Sequence, residues 1–503
     1  MTSRLARRPC LLQLPNFFLH PNSNASRRWS FTFRRPIWER NRPKRVSTSM
    51  TTRAHRLPPL TKFAYGIGDI GFSLTDTTLG VLFLIFLLDV VGLDPEKAAL
   101  AIFIGKSWDY INDPIVGYFA DRTRTRWGRR RPYLLFGFIP FGLSFALMWY
   151  RPPFESQWAL MAYYAVAYLI YDGLYTVVSM PYVALTPELT QDYDERTSLT
   201  SYRMAFSLLG GLIAFVVPLL LIGTLEPSNT DKVLQMGMVF GIASALPLLI
   251  TFFGTRENAE YASQPEPGLR EQFRAVRGNR PFWFAAGIFL FTWTAVEIIQ
   301  NMLLLFLKYR MRLEAESDIV AGAVFITAIV VLPFWVWASQ RTDKRAAYIY
   351  GMFFFIAVMV TLGFLSPSLG FNVVIALACF AGVGVSAVHV LTWAMIPDAV
   401  EVDELQSGAR HEGMFYALVT LFRKVASSIS IPMTALVLGW SGYVSNSAQQ
   451  PESAVWAIRI LIGPVASIFL FAGILFARFY PLSRAAHAET REQLAARRDA
   501  AVD

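Results

Sequence analysis

A chain of 503 residues that is 54% hydrophobic and 16% charged, with a mean hydropathy of +0.39, falls outside ordinary soluble domains and among multi-span membrane proteins. Its net charge of +10 suggests nucleic acid until it is localised: residues 1–60 hold twelve Arg and one Lys against Glu39, a balance of +12, which leaves −2 for the rest. No basic nucleic-acid face survives that subtraction, and two cysteines, Cys10 and Cys379, supply neither a disulfide framework nor a Cys-based metal site.

Residues 1–58 are rich in Arg and Ser and nearly free of acids. They read as an organellar transit peptide, or as an upstream extension ahead of a start at Met50, and otherwise as a disordered tail. From there hydropathy predicts twelve spans, near 64–90, 97–121, 132–150, 157–186, 198–223, 233–254, 281–308, 317–339, 346–366, 370–396, 412–440 and 454–480. Basic residues concentrate in alternate loops, Arg122 to Arg131, Arg256 to Arg280, Arg341 to Arg345 and the tail from Arg484, so both termini are expected in the cytoplasm. The long loop over 256–280 divides the chain into six-helix halves, 59–255 and 281–482, with a tail over 483–503. That is the layout of a transporter with a central site.

The second span carries Lys106, Asp109, Asn112 and Asp113 near its middle. A charge at the bilayer centre costs about 3 kcal/mol even on a lenient scale, so such groups mark an ion or substrate path. Lys106, Asp109 and Asp113 fall at i, i+3 and i+7, in one sector of a helix. Two carboxylates a turn apart stay ionised in a dry site only with a cation, a proton or a basic side chain between them. Asp109 and Asp113 are therefore expected to hold a coupling cation. Lys424 lies twelve residues past Glu412, roughly 18 Å along a helix and too deep to snorkel, so it wants an anion and Asp109 or Asp113 is the natural partner.

The run Gly117-Tyr-Phe-Ala-Asp-Arg-Thr-Arg-Thr-Arg-Trp-Gly-Arg-Arg-Arg-Pro132 resembles the signature loop of the major facilitator superfamily. Asp121 with Arg122, Arg129 and Arg130 reads as a cytoplasmic latch made of charge-assisted hydrogen bonds. Lys62 to Asp69, Trp108 to Pro114, Met180 to Thr190, Glu195-Arg-Thr, Tyr202-Arg203, Pro397-Asp398, Arg410 to Gly413 and Lys424 together resemble the glycoside-pentoside-hexuronide cation symporters. The likeness covers about residues 60–480. It implies an all-α, twelve-helix membrane fold that moves a sugar or glycoside with Na⁺ or H⁺ by alternating access, as a monomer in the plasma or inner membrane, without a cofactor. An organellar membrane is the alternative if residues 1–49 are a transit peptide.

By the same resemblance, Asp109, Asn112, Asp113 and Thr176 are the cation ligands, Lys424 approaches them from the other half, and Lys106 and Arg203 line the cavity. Where galactoside carriers place acids, this chain has Ser73 and Ser179, which lack a bidentate charged acceptor. Asp76 or Asp172 is expected to take over the cargo, beside Tyr175, with Glu297, Gln300, Asn301, His389 and Trp393 lining the second half. Asp398, Glu401, Asp403 and Glu404 are expected to face the arginines of the 122–131 loop as an ionic gate. Relatives of this architecture also handle lysolipid-like amphiphiles, and a transport-dead membrane sensor is a further alternative. Enzyme motifs are lacking: His411-Glu412 has no second His.

Overall fold

The computed structural model describes residues 57–190, 193–257, 276–408 and 412–502. The expected N-terminal extension, apart from its last two residues, most of the central loop and the Arg410-His411 pair lie outside the described residues. Within them every regular element is helical, save one isolated bridge between Thr125 and Gly128. In the first half these are α1 (Pro59–Gly66), α2 (Gly68–Ile85), α3 (Pro95–Ser107), α4 (Asp109–Arg122), α5 (Arg131–Met148), α6 (Gln157–Ala184), α7 (Thr186–Leu189), α8 (Tyr193–Ile222) and α9 (Thr230–Gly254). In the second they are α10 (Arg280–Leu305), α11 (Ser317–Arg341), α12 (Lys344–Gly363), α13 (Gly370–Ala394), α14 (Ile396–Ser407), α15 (Glu412–Trp440), α16 (Glu452–Ile460), α17 (Ala466–Arg478) and α18 (Arg484–Val502). Proline opens α1 and α3 and sits in the first turn of α5, α7, α10 and α14, where its missing N–H is harmless and its fixed φ starts the helix.

Among the described residues ten helical stretches are long and apolar enough to cross a membrane, and the protein is a multi-pass membrane protein. The two expected spans outside that set are 97–121 and 157–186. The 97–121 span breaks at Trp108 into α3 and α4, each too short to cross alone, and α6 is diluted by six tyrosines and Asp172.

In the first half α2 packs on α8 and α9, and α5 on α6 and α9; in the second α11 packs on α13, and α10 on α15 and α17. Gly142 and Gly241 meet where α5 crosses α9: a Cβ on either would come within 2.6 Å and 2.4 Å of the other's carbonyl oxygen, so only glycine permits this approach. Among the described residues the halves pack chiefly through α3 on α15, α8 on α11 and α2 on α10.

The halves share details that their sequences hide. α2 and α10 both run into six-residue π-turns, Phe86–Val91 and Phe306–Met311, each closed by a left-handed residue, Gly92 and Arg312. In both, a backbone N–H reaches back six residues at 2.9 Å, Leu93 to Leu87 and Leu313 to Leu307. α6 breaks at Leu185 before Pro187-Glu188, as α13 breaks at Met395 before Pro397-Asp398.

Candidate cation and cargo site

Trp108 ends α3, so Asp109 opens α4 with Asp113 one turn on. Lys424 of α15 reaches across the interface and donates to both, 2.8 Å to Asp109 Oδ1 and 2.7 Å to Asp113 Oδ2. From α6, the Thr176 hydroxyl donates to Asp113 Oδ1 at 3.2 Å and lies 3.5 Å from Asp109 Oδ1. One residue per structural element thus converges on the pair. Asn112, expected as a ligand, spends its amide N–H on the Asp172 carbonyl at 3.3 Å and ties α4 to α6. Asp172 is buried, and its Oδ2 has no hydrogen-bond partner. Lys106 donates to Ser427 and the Tyr110 hydroxyl meets Ser428, two further bonds between α3–α4 and α15.

The residues expected at the cargo distribute unevenly. Tyr175 donates to Asp76 at 3.0 Å, joining α6 to α2. Ser179 is half-buried on α6. The Ser73 hydroxyl is taken by the Ser207 carbonyl at 2.6 Å, a bond between α2 and α8 that serves packing rather than a cavity wall. Arg203 of α8 stands 3.7 Å from Asp69 of α2, so its charge is answered within its own half. Trp393 lies edge-on to Phe289 and stacks on Tyr416, and His389 is edge-on to Trp293, an aromatic cluster of the second half.

The expected ionic gate takes another form. Arg129 contacts Glu188 at 2.5 Å and Arg130 at 3.1 Å, while the backbone N–H groups of Arg129, Arg130 and Arg131 converge on the Glu257 carboxylate. Burial raises the Glu188 carboxyl above its usual range, and the neighbouring Arg129 and Arg130 pull it back. In the second half Asp398 pairs with Lys344 at 2.7 Å and with His487 at 3.4 Å, and Glu401 with His487 at 2.8 Å. Asp398 therefore does not face the 122–131 arginines: a basic loop and an acid two helices later lie in the same half, and the nearer partner wins. The clamp repeats, with Glu188 and Asp398 in matching places after Pro187 and Pro397. Arg122 lies over the Tyr118 ring instead, and Asp403 is buried on α14. The side chain of Asp121 lies outside what is described.

A second cross-half network sits at the end opposite the basic loops. Asp89, 2% exposed, accepts from Tyr309 and Tyr443 at 2.5 Å each and pairs with Lys308 at 2.9 Å. Lys308 also lies 3.4 Å from Glu314 and donates to the Leu225 carbonyl, and Ser445 donates to the Leu93 carbonyl. Sequence reasoning passed over Asp89, Tyr309, Tyr443, Glu188 and Glu257. Only Asp89 left a trace, as one acid inside the apolar run Phe86–Val91.

Two all-helical halves joined by an ion pair across a central interface have the layout of a membrane transporter, and the known proteins it resembles agree. The MFS/sugar transport protein family profile matches residues 64–484. An uncharacterized symporter of Synechocystis is 34% identical over 89% of this chain and 99% of its own length. A sodium-dependent lysophosphatidylcholine symporter of Danio rerio is 28% identical over 88% of this chain and 89% of its own. Among solved structures, a D-xylose-proton symporter superposes with a TM-score of 0.61 at 14% identity, covering 84% of this chain and 97% of that one. The chain belongs to the MFS/sugar transport protein family and is a secondary symporter of the major facilitator type, not an enzyme.

Proposed function

We propose that this symporter is cation-coupled through Asp109 and Asp113, and that it belongs with the glycoside-pentoside-hexuronide type. The observation that carries the reading is the single Lys424 ammonium shared by two carboxylates at 2.7 and 2.8 Å. One positive charge against two negative ones leaves the site one short, and a bare charge in a closed, dry interior is prohibitive. A second cation completes the balance, and only then do the halves close over cargo. Asp109, Asp113, the Thr176 hydroxyl and the Asn112 carbonyl oxygen are hard donors that suit Na⁺. A proton on either carboxylate would balance the charge equally.

For cargo the family profile supports a sugar or glycoside. A lysolipid-like amphiphile fits the sodium-dependent lysophosphatidylcholine relatives equally. Uptake by proteoliposomes under imposed Na⁺ or pH gradients, with a panel of glycosides and lysolipids, tests both points. Uptake that ignores both gradients for every cargo sinks the coupling.

A further inference from the structure

Arg423 of α15 is half-buried and makes no hydrogen bond or ion pair among the described residues; its guanidinium lies 5.1 Å over the Trp293 ring of α10. Trp293 is 6% exposed, and its buried indole N–H has no hydrogen-bond partner. The other interior bases are answered: Lys424 by two acids, Lys106 by Ser427, Arg203 by Asp69. Its charge is felt at Asp69 and Asp76 on α2 and at His389 on α13, without an ion pair to any of them. Arg423 of the second half thus lies within electrostatic reach of α2 in the first.

A buried donor left unmade costs about 1–3 kcal/mol, and more when charged. Guanidinium and indole can only donate, so a single acceptor bearing negative charge satisfies both. The arginine fork matches the paired oxygens of a carboxylate or phosphate. We propose that Arg423 and Trp293 form an anion-binding subsite of the cargo cavity, and that the transported molecule carries a carboxylate or phosphate group seated there. This rests on the symport reading and narrows it, since the hydroxyls of a neutral sugar can accept from both donors but leave the guanidinium charge unbalanced.

The test uses the full-length protein in proteoliposomes and two matched pairs: nitrophenyl glucuronide against nitrophenyl glucoside for a carboxylate, and lysophosphatidylcholine against the monoacylglycerol of the same chain for a phosphate. One charged member should be taken up about tenfold better than its neutral partner, the scale of one charge-assisted hydrogen bond. The pair that shows it names the anion. Arg423→Gln should collapse that preference to about twofold through KM, and Trp293→Phe, which keeps the ring and loses the N–H, should weaken it about threefold. Both variants should keep the rise in melting temperature that Na⁺ produces, a readout of the Asp109–Asp113 site. Preference retained in Arg423→Gln, or no charged probe bound by the wild type, overturns the subsite. Preference intact with uptake that ignores both Na⁺ and pH gradients overturns the coupling instead.

Discussion

Lys424 both fills and competes for the site it faces. Its removal in Lys424→Met leaves two uncompensated carboxylates, a loss of roughly 3–5 kcal/mol for a buried pair broken on one side. Added cation should recover much of this, so the Na⁺-induced rise in melting temperature should be larger in Lys424→Met than in the wild type. An equal or smaller rise means that the carboxylates do not hold the ion. Asp109→Asn and Asp113→Asn remove the reason for coupling: gradient-driven accumulation should fall at least about tenfold while counterflow exchange of cargo persists, because binding energy is lost for the cation alone. Accumulation kept in both variants would falsify the assignment. These residues were legible in the sequence because ionisable groups inside an apolar span have so few permitted partners. Lys424 could be matched to them for the same reason, whereas Thr176 came only from the family resemblance and Ser73 could not be read, since a hydroxyl is satisfied by any nearby carbonyl.

At the level of helices, hydropathy marked where the long apolar helices lie, because a membrane segment announces itself by length and apolarity. It was silent on the break at Trp108 and on the π-turns, which depend on packing rather than composition. Loop charges were the least legible, since each acid near the surface has many bases within reach, and the nearer one within the same half prevailed. The repeated clamp has a consequence for stability. Glu188→Gln leaves Arg129 and Arg130 without their carboxylate, and Asp398→Asn does the same to Lys344. Each should lower the melting temperature by a few degrees, about 1–2 kcal/mol for a partly buried pair, with transport direction unchanged. A shift in the side from which introduced cysteines are labelled, in either variant, would show instead that these clamps set the conformation.

Across the whole molecule, the named bonds between the halves run from the Asp109–Lys424 level to the end that holds Asp89, while the named pairs at the basic end stay within one half. A transporter of two rigid halves that is held shut at one end is reached from the other. Asp89 is the keystone of the shut end: one carboxylate of the first half receives two phenols and an ammonium of the second. Asp89→Asn weakens all three bonds and should raise thiol labelling of a cysteine placed at Leu225 several-fold, the effect of about 1–2 kcal/mol on a two-state equilibrium. Leu93→Cys with Ser445→Cys makes the converse case, because these positions already meet across the interface, the Ser445 hydroxyl on the Leu93 carbonyl at 2.8 Å. In a background with Cys10 and Cys379 replaced by serine, a bifunctional thiol reagent should fix that end shut. Uptake should then fall about tenfold or more and return on reduction of a cleavable linker, since a halted conformational step leaves binding in place but stops turnover. Cation binding read by melting temperature should survive the cross-link, because the site stays open toward the basic end. Uptake undiminished by a complete cross-link would mean that the two halves do not rock about this site at all.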